Sequence, residues 1–244
     1  MRVNHQAAFM LKARPWSETS LLVDVFTQEF GRFRLLAKGA RRQKTGSRAL
    51  LQAFQPLLIS WVGKSGLPTL THIELRAYSP RLKGQRLASA FYMSELIFKF
   101  LHAHDAHENL FMAYEHALNK LKEDNEPEAV LREFECSLLG EIGYGLQLAH
   151  EANHHQPVEA DQRYFYYPEK GPILIREKDT QKQAANLNVS GETLLALAQH
   201  RYENEQVQKE SKRLLRTLLL RQIKGEFNTR KVYAQMLKTQ DIHE

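Results

Sequence analysis

The fold is decided by eighteen residues near the N-terminus, SLLVDVFTQEFGRFRLLA, which run from Ser20 to Ala37. The first part, Ser20 to Thr27, and the last part, Phe33 to Ala37, are strand-length runs rich in β-branched and large apolar residues. Side chains in the first run alternate between two faces with the period of two that marks a β-strand. Between the runs, Gln28 to Gly31 offers a turn in which glycine can adopt a positive φ. The stretch therefore predicts two strands joined by a tight turn.

Three more strand-length runs flank this stretch. Ala7 to Lys12 precedes it, while Pro56 to Val62 and Leu70 to Leu75 follow it as a second hairpin about Gly63 to Gly66. Five strands within about 75 residues, with a longer polar link after the third, suit an OB-type β barrel. An SH3-like barrel or a small open sheet would give nearly the same pattern.

From Arg86 onward, the apolar residues recur with a helical period. We predict helices over about 86–101, 109–121, 127–143, 190–198 and 207–223, with a last one from Asn228 or Thr229. A β-hairpin is expected near 163–176, about a turn with two prolines. The chain is thus expected to be α+β, with an OB-type domain over residues 1–80 and a mainly α-helical domain over residues 81–244.

Positive charge is concentrated in one part of the chain. Phe30 to Ile73 contains eight of the 34 cationic residues and none of the 28 acidic ones, so it accounts for the whole net charge of +6. A field of this sign attracts polyanions such as nucleic acids, although a solvated basic loop would look the same. The candidate phosphate-binding residues are Arg32, Arg34, Lys38, Arg41, Arg42, Lys44 and Arg48.

Four aromatic residues lie near these cations: Trp16, Phe33, Phe54 and Trp61. They could stack on bases, but most are expected in the core, since an aromatic that alternates along a strand more often packs inward. A second basic group lies in the last helices, and it can be either a solvated face or a second phosphate or acidic-peptide contact. Its members are Lys209, Lys212, Arg213, Arg216, Arg221, Lys224, Arg230 and Lys231.

Signatures of catalysis and of metal binding are weak. The only cysteine, Cys136, excludes internal disulfides and multi-thiolate zinc sites, and the GxSxG, Walker A and GxGxxG motifs are absent. His150 to His154 formally matches HExxH, but its polar context and the nearby Pro157 favour a chance match. A second group contains His102, His104 and His107 with Asp105, but His102 and His104 would point to different sides of a helix. We expect no cofactor and no metal, no enzymatic activity and a cytoplasmic, nucleoid-associated protein without a membrane span. A hydrolase, either zinc-dependent through His150 and His154 or with a dispersed site, stays a third hypothesis.

Three segments resemble the RecO family of bacterial recombinational repair proteins: ARPWSETSLLVDVFT, GRFRLLAKGARR and LREFECSLLGEIGYG. The resemblance implies an N-terminal OB fold and a helical C-terminal domain that bind single- and double-stranded DNA and anneal complementary strands. It implies as partners RecR and the C-terminal tail of single-stranded DNA-binding protein, with RecF and RecA involved indirectly. The barrel cations carried over are Arg32, Arg34, Lys38, Arg41 and Arg42.

The resemblance also implies a binding region for the acidic tail, on the helix that contains Leu131, Arg132 and Phe134. A tail that ends in acidic residues and Phe needs an apolar pocket with a cation, and Arg132 is the candidate cation. Some relatives hold zinc with four cysteines in the segment corresponding to residues 148–180, whereas this chain has none there. The resulting hypothesis is a recombination mediator that helps to load RecA, and its alternative is a protein-protein adaptor whose helical domain binds acidic tails, with DNA binding incidental.

Overall fold

The computed structural model describes residues 1–41, 50–63, 66–77, 79, 81–123, 126–176 and 187–223. These residues divide into two compact units, Met1–Lys122 and the described part of Glu123–Glu226. The last strand of the first unit ends at Leu75, and the first helix that follows begins at Gly84. The division into domains at residues 80 and 81 stays a prediction.

The first unit is built on a closed five-stranded barrel, which confirms the predicted OB-type barrel and excludes the open sheet. Its strands are β1 (Arg2–Pro15), β2 (Leu21–Thr27), β3 (Gly31–Ala37), β4 (Leu57–Val62) and β5 (Thr69–Leu75). They follow the order β1-β2-β3-β5-β4, and β1 closes the barrel by pairing with β4 as well as β2. All pairs are antiparallel except β3 with β5, which meet in parallel at Leu36 and Thr69.

The barrel interior takes one set of alternating side chains from each strand. Val23, Val25, Phe33 and Leu35 are buried there with Trp61. The outer face of β2 is buried as well, because Phe26 packs against two aromatic rings on a helix of the same unit. The first strand was predicted from Ala7 but begins at Arg2, with a register shift between Val3 and Gln6. The polar residues at that shift hid the start of the strand from a search for apolar alternation.

The described part of the first unit also contains the helices α1 (Gly84–Phe100) and α2 (Glu108–Lys122). Phe111 and Tyr114 of α2 pack against Phe9 and Phe26 on the outer face of β1 and β2. The Tyr114 hydroxyl pairs with Ser94 Oγ of α1 at 2.8 Å, and burial raises the pKa of this tyrosine well above its usual value. Asn109 was expected to cap helix α2, but the helix already begins at Glu108, so Asn109 lies within its first turn.

The second unit combines three helices with a small sheet. Helices α3 (Pro127–Glu141), α4 (Gly191–Ala198) and α5 (Glu205–Gln222) accompany the strands β6 (Arg163–Tyr167), β7 (Gly171–Leu174) and β8 (Asn188–Ser190), which pair in the order β7-β6-β8. The predicted hairpin is β6 with β7, and β8 is an additional strand too short to show a period. Pro127 opens α3 and Ser190 caps α4, as predicted, the Ser190 side chain accepting a hydrogen bond from the Thr193 N–H.

The described residues between α3 and β6 form turns rather than a helix. His150 and His154 therefore do not sit one helical turn apart, as a helical HExxH site would require. The Cys136 thiol in α3 has a pKa raised to about 12, mainly by burial and then by Glu135. None of the helices in the described ranges combines the length and hydropathy that crossing a membrane demands.

Candidate nucleic-acid interface

Strand β3 presents two of the candidate cations on the outer face of the barrel. Arg32 and Arg34 are partly exposed, and they alternate with the buried Phe33 and Leu35. This alternation follows from the pleat of the strand, and it confirms that the two arginines share one face. Neither guanidinium is unoccupied, because each has a partner within the first unit.

Arg34 is paired with a buried carboxylate. Its Nε donates to Asp24 Oδ1 at 2.9 Å and its Nη2 donates to Oδ2 at 3.2 Å, in the fork-like geometry that favours arginine. Asp24 is only 2% exposed, whereas the Arg34 side chain remains 39% exposed. Lys12 lies opposite Asp24 in the neighbouring strand, so a row of cation, anion and cation crosses β1, β2 and β3. The pair lowers the net charge that Arg34 offers to a phosphate.

Arg32 connects β3 to the end of α1. Its Nε and Nη2 both donate to the Leu101 carbonyl, at 3.3 and 3.1 Å, and its guanidinium lies 4.6 Å from the centre of the Phe98 ring. Burial lowers the pKa of Arg32, while Asp24 raises it and Arg34 lowers it further. The neighbouring Gly31 allows the segment after α1 to approach β3 closely, since a Cβ on residue 31 would lie 1.8 Å from the Asp105 carbonyl oxygen. Arg32 thus stabilises the junction of strand and helix as well as carrying charge.

Lys38 and Arg41 differ from Arg32 and Arg34 in their exposure, because both lie exposed in the turn that follows β3. The Arg41 backbone N–H donates to the Thr19 carbonyl at 2.9 Å, and its Nη1 donates to the Ser17 carbonyl at 2.6 Å. These bonds fix the turn against the loop between β1 and β2. Among the described residues, the Ser17 carbonyl and no carboxylate accepts from the Arg41 side chain, so no described acid cancels its charge.

The same loop carries an aromatic residue that the sequence did not separate from the core aromatics. Trp16 is 59% exposed, whereas Phe33, Phe54 and Trp61 are buried, as expected for most of the four. The signal that could have singled it out is its place beside Pro15 in a turn, outside the alternation of any strand. Leu21 pairs with both Pro15 and Ala37, so the loop that carries Trp16 and the turn that carries Lys38 and Arg41 adjoin at one end of the barrel. We call these three residues the basic end. The other three candidate cations, Arg42, Lys44 and Arg48, lie outside the described residues.

The predicted tail-binding residues lie in α3 and are all buried. Arg132 is 4% exposed, and its guanidinium contacts Glu135 at 2.8 and 3.1 Å. Leu131 and Phe134 contribute to the core of the second unit. An incoming carboxylate would therefore have to replace Glu135 as the partner of Arg132.

Several cations of the second basic group also have partners within the second unit. Lys209 contacts Glu205 at 2.5 Å, and Lys212 contacts Glu128 at 2.6 Å. Arg213 donates to the Asn188 carbonyl. These contacts favour the interpretation as a solvated face for the described members. Lys224, Arg230 and Lys231 lie beyond the described part of the chain.

Comparisons with known proteins match both halves of the chain. Residues 1–78 match the family model described as "Recombination protein O N terminal", and residues 81–231 match "Recombination protein O C terminal". A DNA repair protein RecO of Nitrosococcus oceani is 45% identical over 219 residues, which cover 90% of this chain and 87% of the relative. That of Azoarcus sp. strain BH72 is 39% identical over 238 residues, with 97% and 98% covered.

Proposed function

Because the chain belongs to the RecO family of DNA repair proteins, we propose that it is a recombination mediator that binds single- and double-stranded DNA and anneals complementary strands. The observation that carries this proposal is the basic end of the barrel, where two exposed cations adjoin an exposed indole. Cationic grooves with aromatic side chains are the usual means of holding a single strand without reading its sequence.

The mechanism is electrostatic. Lys38 and Arg41, together with Arg42, Lys44 and Arg48 of the same basic stretch, neutralise phosphates on two strands and so reduce the repulsion between them. Pairing then proceeds on its own, since duplex formation releases free energy and no nucleotide has to be hydrolysed. With five phosphate contacts to a single strand, log K should fall with log salt concentration at a slope of about −3 to −4. The protein therefore acts without catalysis.

Loading of RecA requires the mediator to reach DNA that is already coated. We propose that the C-terminal tail of single-stranded DNA-binding protein recruits it and that RecR completes the loading platform, with RecF and RecA acting indirectly. The work would take place in the cytoplasm, on the nucleoid. The proposed tail contact at Leu131, Arg132 and Phe134 needs a local rearrangement, because Arg132 is already paired with Glu135. The incoming carboxylate would keep the buried guanidinium compensated, but Glu135 would lose its partner, so Glu135 has to move to water or take up a proton.

A protein-protein adaptor is the second candidate, and one observation favours it. Two of the seven predicted DNA contacts, Arg32 and Arg34, are engaged within the barrel unit, and Asp24 balances the charge of Arg34. If the remaining cations bind DNA only weakly, recruitment by the second unit would be the main activity.

Charge reversal at the basic end distinguishes the two candidates. We expect Lys38→Glu with Arg41→Glu to weaken binding to a single strand about tenfold or more and to flatten the salt slope by about 1.4, as two phosphate contacts are lost. Binding of a tail peptide should be unchanged. The matched control, Lys170→Glu, reverses an exposed cation in the turn between β6 and β7. Unaltered DNA affinity in the double variant would favour the adaptor.

An annealing assay tests the mediator directly. The protein should accelerate pairing of complementary strands both bare and coated with single-stranded DNA-binding protein. When the coating protein lacks its terminal tail, acceleration on coated strands should disappear while acceleration on bare strands persists. Equal acceleration with and without the tail would exclude recruitment through it, and no acceleration on bare strands would exclude annealing.

A further inference from the structure

The loop between β1 and β2 holds Trp16 in a defined place. The backbone N–H of Trp16 donates to the Ser20 carbonyl at 3.1 Å, and the backbone N–H of Ser20 donates to Ser17 Oγ at 3.2 Å. Pro15, the last residue of β1, precedes it and has a restricted φ. Both bonds from Arg41 end on this loop as well, at Ser17 and Thr19. The backbone that carries the indole is therefore fixed by its own hydrogen bonds and by the basic turn.

The indole itself has little to pack against. It is 59% exposed, and among the described residues no aromatic ring stacks on it. The other tryptophan of the chain, Trp61, is only 3% exposed in the barrel core. A large flat ring that is held in place yet left in water is suited to receive another flat ring.

The charges around the loop indicate what kind of ring that is. Arg14 is exposed two residues before Trp16, and the Arg41 guanidinium is bonded to the carbonyl of the next residue, Ser17. One exposed acid, Glu18, lies in the same loop. The surroundings are thus cationic on balance and suit a ligand that joins an aromatic ring to an anion, as each nucleotide does.

We propose that Trp16 stacks on an unpaired base of a single strand whose phosphate lies against Arg41. This inference rests on the proposed function and deepens it, because it assigns to one residue a contact that a single strand offers and a duplex does not. In a duplex both faces of each base are already covered by neighbouring bases, so the indole has no face to contact. Phosphates are present in both forms, so Lys38 and Arg41 contribute to both.

The test compares three probes of equal length: an oligothymidylate, the same sugar-phosphate strand made abasic, and a duplex. Trp16→Leu removes the aromatic ring at an exposed position and keeps an apolar side chain, so the melting temperature should be unchanged. We expect it to bind oligothymidylate about 5- to 100-fold more weakly, and to bind the abasic strand and the duplex as the wild type does. Trp16→Phe should recover most of the loss. The control Tyr144→Leu changes an exposed aromatic residue of the second unit and should bind all three probes normally.

Fluorescence provides a second measurement that a merely structural role would not alter. Oligothymidylate should quench the tryptophan emission of the wild type, whereas Trp16→Phe, which retains only the buried Trp61, should show no quenching. Equal losses on all three probes, or unchanged affinity of Trp16→Leu for oligothymidylate, would overturn the stacking role while leaving DNA binding intact. A wild type that binds none of the probes would overturn the proposed function itself.

Discussion

At the scale of single residues, Asp24 controls how much of the barrel's charge reaches the surface. It was the one clear charge in an otherwise apolar strand, and the antiparallel register places it directly opposite Arg34. The turn at residues 28–31 fixes that register, so the pairing could have been derived from the sequence by extending the hairpin inward. The exposure of Trp16 could not, since it depends on which side chains the folded loop leaves uncovered.

We expect Asp24→Asn to strengthen DNA binding, because it releases the charge of Arg34 for a phosphate. One added contact should raise affinity a few-fold at low salt and steepen the salt slope by about 0.7. Unfolding should become easier by about 1 kcal/mol, since two charge-assisted hydrogen bonds weaken but Arg34 can still reach water. Titration of a labelled single strand at several salt concentrations, with chemical denaturation in parallel, measures both effects.

The double variant Asp24→Asn with Arg34→Gln serves as the control, since it has no cation to release. It should bind no more tightly than the wild type. Tighter binding by the double variant, or unchanged binding by Asp24→Asn alone, would mean that Arg34 does not lie on the path of the DNA.

At the scale of secondary-structure elements, Glu210 of α5 joins three elements of the second unit. Its carboxylate accepts hydrogen bonds from the Ser190 N–H and hydroxyl, from the Thr193 hydroxyl and from Arg163. Burial alone would raise the pKa of Glu210, but these bonds outweigh it and lower the pKa to about 2. The charged form is therefore what holds β8 and the start of α4 to α5.

The resulting stability depends on pH. A lowered pKa in the folded state stabilises fully above the unfolded value of 4.5, and the contribution is lost as pH falls toward 2. We expect Glu210→Gln to lower the free energy of unfolding at neutral pH by about 2 to 3 kcal/mol. Its difference from the wild type should shrink steadily between pH 4.5 and pH 2, as followed by denaturant titrations with circular dichroism. A difference that is constant with pH would show that the charge of Glu210 is not the stabilising feature.

Helix α3 offers a test of the proposed tail site that keeps the core intact. Arg132→Met alone leaves Glu135 buried and unpaired, which should cost about 3 to 5 kcal/mol. Arg132→Met with Glu135→Leu removes both charges and should be near the wild type in stability. If Arg132 is the cation that holds the tail, only the double variant tests it without unfolding, and calorimetry should show its affinity for a tail peptide lost.

Lys212→Gln is the matched control for that experiment, because Lys212 of α5 is a partly exposed cation that pairs with Glu128 of α3. It should bind the peptide normally. A double variant that still binds, with loss in Lys212→Gln instead, would move the tail site from the buried guanidinium to the surface of α3 and α5.

The elements themselves differ in how far the sequence determines them. Pro127 and Ser190 mark helix starts through local chemistry that needs no tertiary contact, and both predictions are confirmed. Strand β8 has three residues and exists because β6 offers it an edge, which no local pattern reports. The burial of Arg132 also needs the fold, since the stripe of Val130, Leu131 and Phe134 identified the helix but not how wide its covered face is.

At the scale of the whole molecule, the sequence predicted a barrel, the helices and the resemblance to the family, whereas the distribution of usable charge depends on contacts that only the folded structure shows. The number of cations between Phe30 and Ile73 can be read from the sequence, but that number does not say which of them are paired. Arg34 is paired with Asp24 and Arg32 is bonded to the Leu101 carbonyl, so the more available cations lie in the turn after β3. Positive charge close together along a chain is therefore not equivalent to positive charge available to a ligand.

The close approach of Asp105 to Gly31 limits which substitutions this chain can accumulate, and it does so at one glycine but not at another. At Gly39, also in the left-handed region, no atom of the described residues lies within 4 Å of an added Cβ, so this part of the structure would tolerate an asparagine there. At Gly31 the Asp105 carbonyl oxygen would lie 1.8 Å from that atom, and no side chain fits while the loop stays in place. Two glycines eight positions apart, one at each end of β3, thus differ in what can replace them. A lineage that lost Gly31 would have to rebuild the segment after α1 at the same time.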